Sequence, residues 1–448
     1  MRERIAHWTR EQAAAIEREA ATIAPVIAPP PRLNPDLHVW DTWLLRNRDG
    51  TLAEIDGFRV IFSLTAPADL PPGKRHDVAT VRYFYSSDGR TWRTGGPVFE
   101  RQEALGSRQW AGSALCDDGD LYCFYTAVGD ENAPGLTYEQ RIVGATGGSI
   151  ETDDGRPYIE GPWFHEQILS PDGVRYERER QGSGMIYTFR DPWFFEDPGT
   201  GETCLLFEAN SPVTRGSDDC DGDPARQEFN GCVGLAVSPT GDPTSWELDD
   251  PLLDATCVNQ EVERPHLVVR DGRYYLFASS HEFTFAPGLD GYEALYGFVA
   301  DELRGDYRPL NDSGLVLTNP PSEPYQAYSW IAYDHPNGVL VTSFFNYYEL
   351  GGLTIDDIGD LPVSQQREKF GGTLAPTLRL RIDGGRTRVV GALGPGHIPS
   401  RDEPIRESDE SGIEHAFESP EGPEPDIRSG RAVEYYGSER ASADSDGS

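Results

Sequence analysis

The sequence predicts an all-β protein, a five-bladed β-propeller with a short N-terminal helix and a central funnel-shaped site, and three observations predict it. Gly 48 and Pro 35, with Tyr 20, Phe 19 and Trp 9 in 448 residues, describe a turn-rich, aromatic chain suited to many short strands. An X-Gly turn followed at once by a β-branched and aromatic strand recurs at Asp56-Gly57, Asp118-Gly119, Thr200-Gly201, Asp271-Gly272 and Asn337-Gly338. Successive turn glycines lie 62 to 82 residues apart, which is room for four strands and their loops, and radial repetition of four-stranded sheets makes a propeller.

Taken in order, residues 4–22 predict an amphipathic helix, after which Pro25, Pro29, Pro30, Pro31 and Pro35 impose an extended lead-in. The expected domains are 1–36, helix and lead-in; 37–398, the propeller; and 399–448, an acidic, largely disordered tail. Upstream of the five turns stand VWDTW (39–43), RQWAGSA (108–114), FRDPWFFED (189–197), QEVERPHLV (260–268) and QAYSW (326–330). As the innermost strand of each blade, the five would converge on one channel. Residues 129–185 read as added loop or hairpin over its mouth, and residues 371–381 as a closing strand.

The formal charge is -36, and Lys74 and Lys369 are the only lysines. Such a surface suits solubility in multimolar salt, where the Debye length falls to about 3 Å, and it argues against nucleic acid and anionic membranes as partners. No segment approaches the roughly 18 apolar residues of a membrane span, and the N-terminus shows no apolar signal region. The six cysteines show no C-x-x-C spacing. Cys220 and Cys232 flank the acidic loop 217–223 and could pair, but single buried thiols fit better. That loop lacks EF-hand spacing and reads as solvated surface rather than a Ca²⁺ site.

Glu261 and Glu263, at i and i+2 of an extended run, share a face, with Val262 turned the other way. Alone, such a pair is also what a solvated strand edge presents. Its surroundings argue otherwise: Asp41 lies between Trp40 and Trp43, and Asp191 lies in FRDPW, so three blades would bring carboxylates and aromatics to one channel. Retaining glycosyl transfer needs one carboxylate nucleophile and one protonated acid about 5–5.5 Å apart. Asp41, with no charged neighbour, suits the nucleophile. Glu263, beside the like charge of Glu261 and tuned by Arg264, suits the acid, and Asp191, which Arg190 would hold ionised, suits an acceptor of sugar hydroxyls.

These segments, with RDGRYYLFASSH and GGTLAPTLRL, resemble in order the motif series of glycoside hydrolase family 68, the fructansucrases, from about Trp8 to about Leu393. The acidic, lysine-poor composition resembles the halophilic-archaeal members. The resemblance implies a levansucrase or inulosucrase, a retaining fructosyltransferase acting on sucrose, with Asp41 as nucleophile, Glu263 as acid/base and Asp191 as transition-state stabiliser. It further implies that Trp40 and Trp110 line the fructosyl subsite and that Arg190, Glu261, Arg264 and Tyr328 shape the fructosyl and glucosyl subsites. His281 would handle acceptors.

Expected partners are therefore sucrose and fructan acceptors, without nucleic acid or membrane, for a monomer working outside the cell. No cofactor or metal is expected, because Gln260 stands where calcium-binding relatives have Asp. Ala111 stands where relatives have a Ser near the nucleophile, so another group must orient Asp41. A sucrose hydrolase without polymer synthesis and a noncatalytic carbohydrate-binding propeller are the alternatives. Both β-2,1 and β-2,6 linkages stay open, with a lean to the inulin type.

Overall fold

The X-Gly pairs turn the chain where the sequence places them. In Asp56-Gly57, Asp118-Gly119 and Asp271-Gly272 both residues take φ between 49° and 95°, the left-handed pair that a type I′ hairpin turn requires. The computed structural model describes residues 5–405 apart from Arg101, Gln102, Ser183 and Arg215. The described chain is all-β, with four sheets of ten, six, five and five strands and only short helical turns.

Each predicted opening segment forms a strand: Leu37–Asn47, Arg108–Asp117, Phe189–Glu196, Glu263–Arg270 and Ala327–His335, here the first to fifth inner strands. The first two share the ten-stranded sheet because Leu45, Arg46 and Asn47 pair in parallel with Ala114, Leu115 and Cys116. Elsewhere each inner strand pairs antiparallel with the strand that follows its turn, as Phe189–Glu196 does with Thr203–Asn210. The inner strands contact one another in the order first to fifth and back to the first, which closes them around a common axis.

All five inner strands break register at the same place. The ladder skips between Trp40 and Trp43, Trp110 and Gly112, Arg190 and Trp193, Glu263 and His266, and Tyr328 and Ile331. At four of these bulges a non-glycine residue takes positive φ: Asp41 at 47°, Asp191 at 59°, Arg264 at 51° and Ser329 at 58°. A bulge re-aims one side chain out of the alternating pattern, and the left-handed conformation is costly for residues with a Cβ, so the surrounding sheet must hold it. Beneath the bulges the strands return to regular pairing, and Trp43, Trp193 and Trp330 join Phe62, Phe277 and Phe345 in the buried apolar core.

Three expectations are corrected. The predicted helix over 4–22 shrinks to Arg10–Ala13, capped by Thr9, and a short turn at Glu19–Ala21; Ala6–His7 is instead a strand, parallel to Leu253–Asp254. Its apolar residues serve different neighbours rather than one helical face. Trp8 enters an aromatic nest of Phe285, Tyr296 and Phe298 and donates its indole N–H to Ser313 O, while Ile23 N bonds Thr318 O. Further along, Val26 N bonds the Gln326 side chain and Thr373 bonds Pro31 O. The N-terminal segment is thus a strap across neighbouring sheets.

Against the expectation of single thiols, Cys220 pairs with Cys257 rather than with Cys232, at a Cα–Cα distance of 5.4 Å, while Cys116, Cys123, Cys204 and Cys232 stay free. Cys232 is held away in a central strand, Gly231–Val237, with its side chain in the core, whereas Cys257 lies in the loop leading to Glu261. Residues 129–185 do form hairpin material, in which Gln140–Asp153 pairs with Arg156–Glu160 and Phe164–Leu169. Among the described residues of this stretch, none lines the pocket described below. The closing strand is split in two, Phe370–Leu374 and Pro376–Asp383, both paired with Gly338–Tyr347. The acidic tail from residue 406 lies outside the described residues.

The strap gives a direct expectation. Trp8 is 2% exposed, so Trp8→Ala should lower unfolding stability by about 3–5 kcal/mol. Denaturant titration in multimolar salt checks this, with an unchanged midpoint as the contrary result.

Candidate active site

The bulge residues Asp41, Ala111, Asp191, Arg264 and Ser329 all open on one pocket. Its wall is completed by Trp110, Arg190, Glu263, Tyr328 and His281, and by Arg75, His76 and Phe344. The structure therefore brings together the three predicted carboxylates from the first, third and fourth inner strands. Asp41 is half-buried as a residue, whereas Asp191 and Glu263 are only 6% and 7% exposed.

Arg190 organises the acids. Its Nε donates to Glu208 Oε2 at 2.6 Å, and its Nη2 donates to Glu261 Oε1 at 2.7 Å and to Glu263 Oε1 at 2.9 Å. All four residues are buried. Burial pushes the Glu208 and Glu261 carboxyls up despite Arg190, because one guanidinium does not offset several like charges removed from water. Glu208 Oε1 and Glu261 Oε2 meet no donor among the described residues, which fits acids that carry a proton.

Arg264 organises the other side. Its backbone N–H donates to Asp191 Oδ2 at 3.1 Å, its Nη1 to Ser329 Oγ at 2.5 Å and its Nη2 to Thr42 O at 3.1 Å. Ser329, placed by Arg264 at the neighbouring bulge, favours the ionised form of Asp41, a polar influence that Ala111 does not offer. Asp41 is raised by burial and by Glu263, against Arg264 and Ser329. Asp191 is pushed up to about 7 by burial, which outweighs Arg190 and Arg264, with Glu263 and Asp41 adding to the rise. The expectation that Arg190 holds Asp191 ionised is thus overturned: desolvation of the enclosed carboxyl is the larger effect.

Glu263 Oε2 accepts from the Tyr328 hydroxyl and faces His281 Nε2 at 3.4 Å. Trp110 lines the wall and donates its indole N–H to His76 O at 3.1 Å. Trp40 and Glu261, expected at the sugar subsites, stand behind the wall. Trp40 is fully buried with the His76 ring between it and Trp110, and Glu261 is fully buried under Arg190. Gln260 is buried too, with its side-chain amide donating to Ile186 O and its carbonyl accepting from Asn230 N. Ile186 and Asn230, the residue before the strand Gly231–Val237, are therefore bridged by a neutral side chain.

Four functional residues escaped the sequence reading. Arg75 and His76 come from the turn Pro72–Val78, Glu208 from the strand beside the third inner strand, and Glu293 from a loop end facing His281. Only the basic pair in PPGKRHD was visible as a charged loop, and nothing in that loop pointed to the channel.

Comparison with known proteins settles the kinship. The profile of glycoside hydrolase family 68, described as levansucrase/invertase, matches residues 2–399. This chain belongs to that family. Among family 68 relatives, the levansucrase of Rahnella aquatilis is 36% identical over 425 residues, covering 88% of this chain and 96% of that protein. An extracellular sucrase from Zymomonas mobilis is 36% identical over 417 residues, covering 88% and 95%. Among solved structures, an inulosucrase from the halophilic archaeon Halalkalicoccus jeotgali, bound to kestose, is 62% identical with a TM-score of 0.88, covering 90% of this chain and all of that one. The β-fructofuranosidase catalytic domain of Microbacterium saccharophilum is 31% identical with a TM-score of 0.76, covering 89% and 94%. The chain shares with these family 68 structures an all-β propeller fold.

The raised Asp191 predicts a trade of stability against function. A carboxyl whose folded pKa is raised favours folding at low pH, and that contribution is lost as pH rises through about 7. Asp191→Asn should therefore be more stable than the parent at pH 8, by on the order of 2–4 kcal/mol, with the gap narrowing as pH falls and nearly closed by about pH 4. Denaturant titration at the two pH values checks the sign, and a variant less stable at pH 8 contradicts it.

Proposed function

We propose that this chain is a retaining fructosyltransferase acting on sucrose, built as a five-bladed propeller with one inner strand per blade. The carrying observation is the convergence of Asp41, Asp191 and Glu263 on one pocket, with Arg190 bonded to Glu263 and Arg264 set between Asp41 and Asp191. A pocket with three carboxylates, an indole and three guanidinium groups suits a small polyol that must develop positive charge at one carbon.

In this reading the carboxylate of Asp41 attacks the anomeric carbon of the fructosyl unit and forms an ester. The bond to the glucosyl oxygen breaks, its electron pair leaves with glucose, and Glu263 supplies the proton. A hydroxyl of sucrose or of a growing fructan, or water, then attacks the same carbon and gives its proton to Glu263, and Asp41 departs. Asp191, held by the Arg264 backbone N–H and lined up beside Arg190, meets the fructosyl hydroxyls. Trp110 supplies a flat apolar wall, and Trp40 supports it from behind through His76.

The 62% identical inulosucrase, solved with kestose, supports an inulin-type product over levan. The extracellular sucrase among the relatives supports action outside the cell, and among the described residues no helix is long and apolar enough to cross a membrane. The related β-fructofuranosidase favours a second reading, release of fructose to water, which competes at the same ester. The expected partners stay as sucrose and fructan acceptors for a monomer needing no metal. Gln260, neutral and fully engaged in hydrogen bonds, fits that reading.

In multimolar salt, Asp41→Ala should abolish glucose release from sucrose, and Glu263→Gln should lower it by roughly 10²–10⁴-fold, with circular dichroism unchanged. Substantial activity in either variant would sink the assignment. Chromatography of the parent's products separates transfer, with glucose exceeding free fructose, from plain hydrolysis.

A further inference from the structure

Glu293 has no place in the reaction as described, yet it is 4% exposed and its carboxylate is committed to the pocket. Both of its oxygens lie 2.8 Å from His281 Nδ1, and Oε1 also accepts the Glu282 backbone N–H at 3.3 Å. The His281 ring is packed flat between Tyr328, at 4.1 Å and 15°, and Phe283, at 5.1 Å and 15°, so it has little freedom to turn. Its far nitrogen, Nε2, faces Glu263 Oε2 at 3.4 Å, the same oxygen that accepts the Tyr328 hydroxyl. Glu293, His281 and Glu263 thus stand in line, with the middle ring fixed at both faces.

We propose that Glu293 is a positioning residue that acts through His281, holding a protonated imidazole against the general acid so that Glu263 gives up its proton more readily as glucose departs. The proposal rests on the fructosyltransferase reading above. As the proton passes to the glucosyl oxygen, Glu263 gains negative charge in a pocket that already holds Asp41, Asp191 and Glu261. A cation 3.4 Å away on the side opposite Arg190 lowers the energy of that state. The groups facing His281 are Glu293, just before the strand Ala294–Ala300 of the same sheet, Glu263 and Glu261 at the inner strand of that sheet, Glu282 on its own loop, Tyr328 from the fifth inner strand and His76 across the pocket. Four of these are acids, while burial keeps Tyr328 and His76 uncharged. His281 accordingly keeps its proton to about 9, against its own burial, chiefly because of Glu293.

Leaving-group dependence tests this. Glu293→Gln keeps the shape but not the charge, and it should lower turnover of sucrose by roughly ten- to hundredfold while lowering turnover of β-fructosyl fluoride, whose fluoride needs little protonation, by no more than about threefold. The ratio of variant to parent turnover on sucrose should also fall as pH rises from about 5.5 to 8, because His281 without Glu293 loses its proton near the ordinary histidine value of about 6.5. If Glu293→Gln does not fold, His281→Gln removes the same cation and should show the same preference for the fluoride. Equal losses on both substrates with a ratio independent of pH, or no loss at all, would overturn the proposal. A parent enzyme that fails to turn over sucrose would instead overturn the functional reading on which it rests.

Discussion

The register break shared by the five inner strands is the constraint on which the site depends. A regular strand would alternate its side chains between the two sheet faces, and no residue would point along the channel axis. Skipping the ladder at Asp41, Ala111, Asp191, Arg264 and Ser329 aims one side chain per strand at a common point. Four of these residues hold left-handed backbone, where a Cβ is unwelcome. The packed core directly beneath, with Trp43, Trp193 and Trp330 buried among phenylalanines, is what keeps the bulges from relaxing.

Once the bulges have gathered the side chains, electrostatics assigns their tasks. Two guanidinium groups divide the pocket: Arg190 serves Glu208, Glu261 and Glu263, and Arg264 serves Asp191, Ser329 and the approach to Asp41. Burial raises Glu208, Glu261 and Asp191, so the acids are not all ionised together near neutrality. Such a cluster is poor for stability, since buried ion pairs seldom recover the cost of desolvation. Its persistence is understandable if a developing positive charge on a sugar carbon completes it.

Much of this was legible in the chain. Paired turn residues such as Asp118-Gly119, followed by aromatic strands, announced both the hairpins and their repetition, and the matched position of VWDTW, FRDPW and EVERP within the repeats announced the shared pocket. What stayed hidden depends on contacts between remote segments. Glu208 looks like any acid in a strand, and Glu293 like any acid in a loop, until folding sets them 2.6 Å from Arg190 and 2.8 Å from His281. The Ala-rich stretch after Trp8 has genuine helical propensity, but Trp8 and Ile23 are tied to different strands, Ala294–Ala300 and Leu315–Thr318, and that packing outweighs propensity. Trp40 was expected to line the fructosyl subsite, yet the fold buries it behind the wall, with the His76 ring between it and Trp110.

The central claim is that Asp41 becomes covalently attached to the fructosyl unit, and trapping that ester tests it most directly. Glu263→Gln loaded with β-fructosyl fluoride should accumulate the intermediate, because the first step needs little acid while the second lacks its base. After rapid acid quench and proteolysis, mass spectrometry should find one added fructosyl unit on the peptide containing Asp41, and none in Asp41→Ala. An adduct on another residue, or turnover without any adduct together with inversion at the anomeric carbon, would contradict the account.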